Sequence, residues 1–279
     1  MAGTLYLVAT PIGNLGDISP RAAETLGIAN FIAAEDTRVS LKLLNHLGIK
    51  KPLVSYYEHN RAESGEKILS RLLAGESCAL VTDAGMPAIS DPGQELVALC
   101  ADYDIPVIVI PGPCAAVCAL SASGLPSGRF TFEGFLSTAA KSRRQRLQEL
   151  ASERRTIIFY EAPHKLLNTL RDMLDSFGNR NISVSRELTK LHEETIRTTL
   201  SEAVARYTET PPRGEFVLVI EGAAEKPEEP YPQDEALKAV ECFRGQGMSL
   251  RDAVKRASEE TGVPKNILYA AAIKKSSSC

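Results

Sequence analysis

Five short segments concentrate side chains and backbone able to bind a polar ligand or move a proton. Thr10-Pro11-Ile12-Gly13-Asn14 is a tight turn that brings backbone close to a ligand. It is not GxGxxG, so a dinucleotide site of the Rossmann type is unsupported. Residues 82–93 hold small residues with Asp83 and Asp91 over twelve positions, where a plain connection takes about 2–6. Such a loop suits a nucleoside-like ligand, its carboxylates meeting hydroxyls or an amino group. Pro111-Gly112-Pro113-Cys114-Ala115-Ala116 offers the free N–H groups of a helix start to an anionic or polar group. Finally, Glu35-Asp36-Thr37-Arg38 and Tyr57-Glu58-His59-Asn60-Arg61 gather acids, a histidine and arginines that could supply a proton acceptor and phosphate ligands. Plainer roles compete with each: a simple turn, helix capping by Asp36, a solvated Arg61, and core packing by Cys118. His46, His164 and His192 lack ligand spacing and read as surface residues.

These segments follow apolar runs at 5–9, 31–34, 53–56, 78–81 and 106–110, which read as strands. The runs are continuous instead of alternating, as parallel strands covered on both faces are. Helices are expected at about 20–40, 41–47, 61–74, 93–103 and 114–123. Ser19-Pro20 sets an N-cap and first helical position, and Gly48 and Gly75 stand where left-handed caps are wanted. Ligands of an open parallel sheet bind beyond the carboxyl ends of its strands, where the five segments fall. A second series has strands at 130–132, 156–160, 182–185 and 216–220, a basic stretch at 141–155 and a helix at 163–177. The fold expected is α/β, with two α/β domains at 1–126 and 127–222. A proline-bearing linker over 223–234 then leads to a small helical unit at 235–279. There Ser249 caps one helix and Gly262-Val263-Pro264 separates it from another, a helix-turn-helix-like pattern. It reads either as a cap on the body or as a nucleic-acid contact.

The 279 residues are 44% hydrophobic and 24% charged, which excludes a disordered or coiled-coil chain. Net charge is −3, so nucleic-acid binding must come from local patches. Residues 235–279 carry eight Lys/Arg against five Asp/Glu, a balance of +3 against −6 for the rest. No bilayer-length apolar run or signal peptide is evident, and a cytoplasmic location is expected. The six scattered cysteines suggest neither a metal site nor disulfides, and most read as buried thiols.

In combination, the 8–14 opening, the 82–93 loop, the Pro111-Gly112 turn, Phe159-Tyr160-Glu161-Ala162-Pro163-His164 and Arg186-Glu187-Leu188-Thr189-Lys190 resemble the ribosomal-RNA branch of the tetrapyrrole methylase family over about residues 3–275. The resemblance implies S-adenosylmethionine in a cleft between two α/β domains and 2′-O-methylation of a cytidine ribose in small-subunit ribosomal RNA. It also implies a homodimer. It puts the cofactor against Pro11, Asp83, Ala84, Gly85, Ile89, Cys114, Ala115, Tyr160 or Glu161, Leu188 and Phe216. Many porphyrin-methylating members carry Gly-Gly-Asp-Pro where this chain has Ala84-Gly85-Met86-Pro87, which favours the RNA branch. Methylation of a tetrapyrrole or other metabolite, and a non-catalytic ribosome-assembly role, are the rival readings.

Methyl transfer from a sulfonium needs no metal, and good alignment is worth roughly 7–11 kcal/mol. A ribose hydroxyl gains on the order of 10²–10⁴ from a positioned base. The candidates are Glu35, Asp36, His59 and Lys190, the last only if burial lowers its pKa. Arg38, Asn60, Arg61, Arg143, Arg144 and Arg146 are the candidate RNA-binding residues.

Overall fold

A computed structural model describes residues 2–224 and 233–276, within two compact units, Met1–Ala223 and Ala224–Cys279. The expected linker at 223–234 lies mostly outside the described residues, as does Cys279.

The first unit opens with strands β1 (Leu5–Val8), β2 (Phe31–Ala34), β3 (Leu53–Ser55), β4 (Cys78–Val81) and β5 (Val107–Ile110). They form an all-parallel sheet in the order β3-β2-β4-β1-β5. Between them run helices α1 (Pro20–Ile28), α2 (Thr37–His46), α3 (Arg61–Leu73) and α4 (Gln94–Asp102). Alternate residues of each strand enter opposite cores. Leu5, Phe31 and Leu80 pack with Ile68, Leu72 and Leu96 on one face, while Val8, Ile32 and Val81 pack with Leu26 and Leu44 on the other. Two buried faces explain the unbroken apolar runs. The helix expected across 20–40 is instead two, separated by β2, because its middle is the apolar run that the sheet interior requires. Ser19 Oγ accepts the Ala22 N–H, and Gly48 and Gly75 have φ of +68° and +94°.

The second half contains β6 (Phe130–Phe135), β7 (Thr156–Glu161), β8 (Asn181–Arg186), β9 (Glu194–Thr199) and β10 (Phe216–Ile220), in the order β6-β7-β10-β8-β9. Here β6 and β7 are parallel and the remaining pairs antiparallel. Helices α6 (Ala140–Leu150), α7 (Pro163–Phe177) and α8 (Leu200–Glu209) contribute to one core. On the opposite face Ala116, Ala119 and Leu120 of α5 (Ala115–Ser123) meet Ile158, Val217 and Val219. This helix, which follows the first sheet in the chain, therefore packs on the second sheet. β9 lacked an apolar signature, being half-buried and polar, whereas α8 carries Leu200, Ala203, Val204 and Tyr207 at helical spacing and starts from a Thr199–Glu202 capping box.

Cys78 and Cys100 are buried, and burial pushes the Cys78 thiol up to about 12. Cys118 is exposed rather than in the core, and Cys114 is half-buried. The second unit has three helices, α9 (Gln233–Gly245), α10 (Leu250–Thr261) and α11 (Lys265–Ser276), around their own core of Val240, Val254, Ala257, Val263 and Leu268. Ser249 accepts the Asp252 N–H, and Gly262 ends α10 at φ +72°. Among the described residues, no helix is long and apolar enough to cross a membrane.

Candidate active site

The chain leaves β1 toward β2 on one side of the first sheet and leaves β4 toward β5 on the other. The carboxyl ends of adjacent β1 and β4 are therefore the reversal point at which open α/β sheets form a crevice. Two loops meet there. Thr10 N–H donates to the Gly85 carbonyl at 2.9 Å, and Gly85 N–H returns a bond to Thr10 at 3.1 Å. Gly85 has φ +89°, a conformation natural to glycine. Ala88 and Ser90 in the same loop hold φ of +66° and +61°. Non-glycine residues adopt this region at a cost of about 1–3 kcal/mol each, commonly near functional sites.

Beside this junction lies a cleft of about 550 Å³, walled on one side by the first-sheet loops and on the other by β7, β10 and the loop after β8. Ten of the residues singled out from the family resemblance line it: Asp83, Ala84, Gly85, Ile89, Cys114, Ala115, Tyr160, Glu161, Leu188 and Phe216. Pro11 lines a neighbouring cavity of about 310 Å³, which shares Ile12, Asp83, Ala84 and Glu215 with the cleft. Tyr160 ties the two walls together, its hydroxyl accepting the Ala116 N–H at 3.1 Å. Its ring packs edge-on against Phe132 and Phe135 at 5.0 and 5.5 Å. Glu161 points elsewhere. Its oxygens accept the Ala162 N–H at 2.8 Å and the Thr169 hydroxyl at 2.6 Å, and Lys165 lies at 3.2 Å. A carboxylate so satisfied stabilises the start of α7 and has little capacity left for a ligand.

The base candidates separate sharply. Asp36 caps α2 and holds Arg38 through both oxygens, at 3.0 and 2.6 Å. That pairing, with the Arg38 backbone N–H, pulls its carboxyl down to about 2, which makes it a feeble proton acceptor. For Lys190, burial favours the neutral amine, yet bonds to Glu215 and Glu187 at 2.8 and 2.9 Å hold the ammonium above its ordinary range. The lowered pKa on which its candidacy rested is absent. His59 packs edge-on to Tyr57 and lines neither cavity. Glu35 does line the cleft, accepting the Thr82 hydroxyl at 2.8 Å.

Asp91, quoted within the loop but not singled out as a proton acceptor, lies in the same cleft. Burial and then repulsion from Glu35 push its carboxyl up to about 7, against the opposing influence of Thr82. Asp83 is also raised, first by burial. The signal available in sequence was three carboxylates at the ends of two strands; their convergence depends on β2 and β4 being neighbours. His164, read as a surface residue, is exposed and also lines the cleft.

The arginines are mostly engaged. Arg143 is 7% exposed, with Nε 2.7 Å from Asp172, so it is part of the protein interior and not a phosphate ligand. Arg144 meets the same carboxylate at 2.8 Å, and Arg146 pairs with Glu133 and Glu149. Arg61 pairs with Glu95 at 2.5 Å. Asn60 closes its own turn by accepting the Tyr57 N–H and donating to the Ser55 carbonyl. Arg38 is fully at the surface and keeps its Asp36 partner. The chemical content of the site is thus an apolar two-walled cleft with carboxylates at one end, suited to a ligand that is largely apolar and carries positive charge.

Residues 4–204 match the family model of Tetrapyrrole (Corrin/Porphyrin) Methylases, and residues 244–276 match the RsmI C-terminal HTH domain. A Ribosomal RNA small subunit methyltransferase I from Synechocystis is 51% identical over 268 residues, with 96% of each chain covered. The chain belongs to the tetrapyrrole methylase family. The enzyme of the same name from Bacillus subtilis is 45% identical, covering 96% of this chain and 93% of its own. The methylase fold itself recurs in the uroporphyrin-III C-methyl transferase of Thermus thermophilus solved with S-adenyl homocysteine. That structure has a TM-score of 0.56 at 20% identity and covers 78% of this chain and 97% of its own. A cobalt precorrin-4 methyltransferase is comparable, with a TM-score of 0.58 at 17% identity, covering 77% and 94%. Two α/β halves frame the cleft of this methylase.

Proposed function

We propose that this chain transfers a methyl group from S-adenosylmethionine to the 2′-hydroxyl of a cytidine ribose in small-subunit ribosomal RNA. The observation that carries the reading is the convergence of the 82–93 loop, the α5 start and the β7–β10 wall on one cleft, in a chain 51% identical to a Ribosomal RNA small subunit methyltransferase I. Rival metabolite methylation finds no support among such close relatives. We further infer a homodimer acting on the assembled subunit in the cytoplasm.

The cleft fits the cofactor on its own chemistry. Ile12, Ile89, Leu188, Phe216 and Val217 give apolar faces for an adenine and thioether chain, and Glu35, Asp83 and Asp91 favour a cationic ligand. Its volume of about 550 Å³ is in the usual range for such ligands. When bound, the cofactor supplies an activated methyl group on a positively charged sulfur.

The remaining work belongs to the protein. The Thr10–Gly85 bridge and the Tyr160–Ala116 bond fix the two walls, so that acceptor and donor meet without a search through orientations. Asp91 takes the proton from the ribose hydroxyl as its oxygen attacks, because its carboxyl titrates near neutrality inside the cleft. Glu35, held by Thr82, keeps that proton affinity high through its nearby charge. Asp36, Lys190 and His59 take supporting roles in capping, ion pairing and loop structure.

The test is incubation of protein with labelled S-adenosylmethionine and, separately, small ribosomal subunits lacking the modification, naked ribosomal RNA and a porphyrinogen. Label is expected on RNA within the subunit, in a nucleotide resistant to alkaline cleavage. Label on the porphyrinogen, or equal labelling of a 2′-deoxy target, would overturn the reading.

A further inference from the structure

The last helix of the C-terminal unit carries a surface that methyl transfer does not use. Leu268 and Ala272 of α11 enter the core of that unit, while Lys265, Asn266, Tyr269, Ala270, Ile273 and Lys274 form the opposite, exposed face. A surface helix ordinarily turns charged and polar side chains outward. The middle of this face is instead apolar, with Tyr269 41% and Ile273 44% exposed one turn apart. A lysine stands at each end. The two companion helices carry exposed acids, Asp234, Glu235 and Glu241 on α9 and Glu259 and Glu260 on α10, whereas residues 265–276 include no Asp or Glu. Lys275 is drawn to Glu241 of α9 at 2.7 Å. An aromatic ring between cations, on a helix without a carboxylate, is complementary to a polyanion that also offers flat apolar faces.

We propose that the exposed face of α11 binds unpaired ribosomal RNA, with a base stacked on Tyr269 and phosphates on Lys265 and Lys274. The assignment rests on the RNA-methylating reading above and names a second point of contact with the same substrate. The arrangement of α10 and α11 resembles a helix-turn-helix, whose second helix usually lies in the major groove of a duplex. That mode does not suit this face. The major groove of A-form RNA is deep, narrow and closed to side chains. Groove readers also present amide or guanidinium groups to base edges, and on this face only Asn266 carries one. Stacking on Tyr269 requires a base free of its partner and accepts any of the four. The contact therefore adds affinity for single-stranded RNA without selecting the nucleotide to be methylated.

The full chain is titrated into a short fluorescently labelled RNA, once as a single strand and once as a duplex, and anisotropy is followed. Tyr269→Ala should weaken single-strand binding roughly five- to 150-fold, Tyr269→Phe should preserve it, and duplex affinity should respond to neither. Lys265→Ala should flatten the log–log salt slope of single-strand binding by about 0.7. Full single-strand affinity in Tyr269→Ala, or an equal loss on the duplex, would overturn the proposal. Because Tyr269 is exposed, its Ala variant should melt with the unaltered chain. A markedly lower melting temperature with RNA affinity kept would assign the face to a protein contact and sink the idea. Should that variant unfold, Tyr269→Leu, which keeps apolar bulk and lacks the ring, carries the same expectation and the same refutation. Methyl transfer to small subunits by the unaltered chain separates this surface from the activity. Transfer together with single-strand binding indifferent to Tyr269 refutes the surface alone. Binding that depends on Tyr269 without transfer refutes the activity and leaves the surface standing.

Discussion

Tyr160 of β7 accepts a hydrogen bond from the Ala116 N–H at the start of α5, at 3.1 Å. The bond joins a strand of the second sheet to the helix that follows the first, so the two walls of the cleft share one anchor. It also occupies a helix N-terminal donor that would otherwise be unsatisfied.

Tyr160→Phe removes that anchor and keeps the ring contacts with Phe132 and Phe135. Thermal unfolding should show a loss of about 0.5–1.5 kcal/mol. Calorimetry should show weaker S-adenosylmethionine binding, since Cys114 and Ala115 lose their fixed position beside it. Unchanged cofactor affinity would mean that the α5 start is held by packing alone.

Asp91 gives two pH signatures. Its carboxyl moves from 3.8 in the unfolded chain to about 7 in the folded one. Across that window the folded chain keeps a proton that the unfolded chain has released, so stability falls as pH rises, and the penalty is complete above about pH 7. Relative to Asp91→Asn, the unaltered protein should therefore melt progressively lower between pH 4 and 7. Its kcat/KM should rise through about pH 7, and Asp91→Asn should lower turnover by on the order of 10²–10⁴.

Lys190 predicts the opposite linkage. An ammonium held above its ordinary range by Glu215 and Glu187 contributes stability at all pH below its unfolded value of 10.5, lost only as pH rises through the higher folded value. Melting curves of Lys190→Met and the unaltered chain should differ by a constant amount from pH 6 to 9 and converge in strong alkali. Its pH–rate profile should keep the same shape, because no neutral amine takes part.

Arg143 and Asp172 test whether the basic stretch is a surface or a core. Asp172 is 4% exposed; burial favours its neutral form, but bonds from Arg144 and Arg143 outweigh that and hold the carboxyl low. Asp172→Ala strands the buried Arg143 charge and should cost roughly 3–5 kcal/mol in denaturant unfolding. Arg143→Met should leave the salt dependence of RNA binding as it was, because a buried, paired guanidinium contributes no phosphate contact.

Much of this protein was legible in its residue order. Continuous apolar runs at 31–34 and 78–81 required burial on both faces, and that requirement gives parallel strands under helices. Ser19, Gly48, Ser249 and Gly262 marked helix ends because capping and left-handed backbone are local chemistry. The loop positions beyond the strands, and the motifs shared with the methylase family, were local in the same sense. Charge pairing was not. Arg143 and Asp172 are 29 positions apart, Lys190 and Glu215 are 25, and in each case the fold turned a candidate ligand or base into half of an ion pair. Asp91 acquired its proton affinity from burial and from a carboxylate delivered by another element. Local conformational preference depends on residues a few positions away and can be read along the chain. Solvation and electrostatic partnership depend on what surrounds a group in space, and those were fixed when β1 and β4 came side by side and the second sheet closed over them.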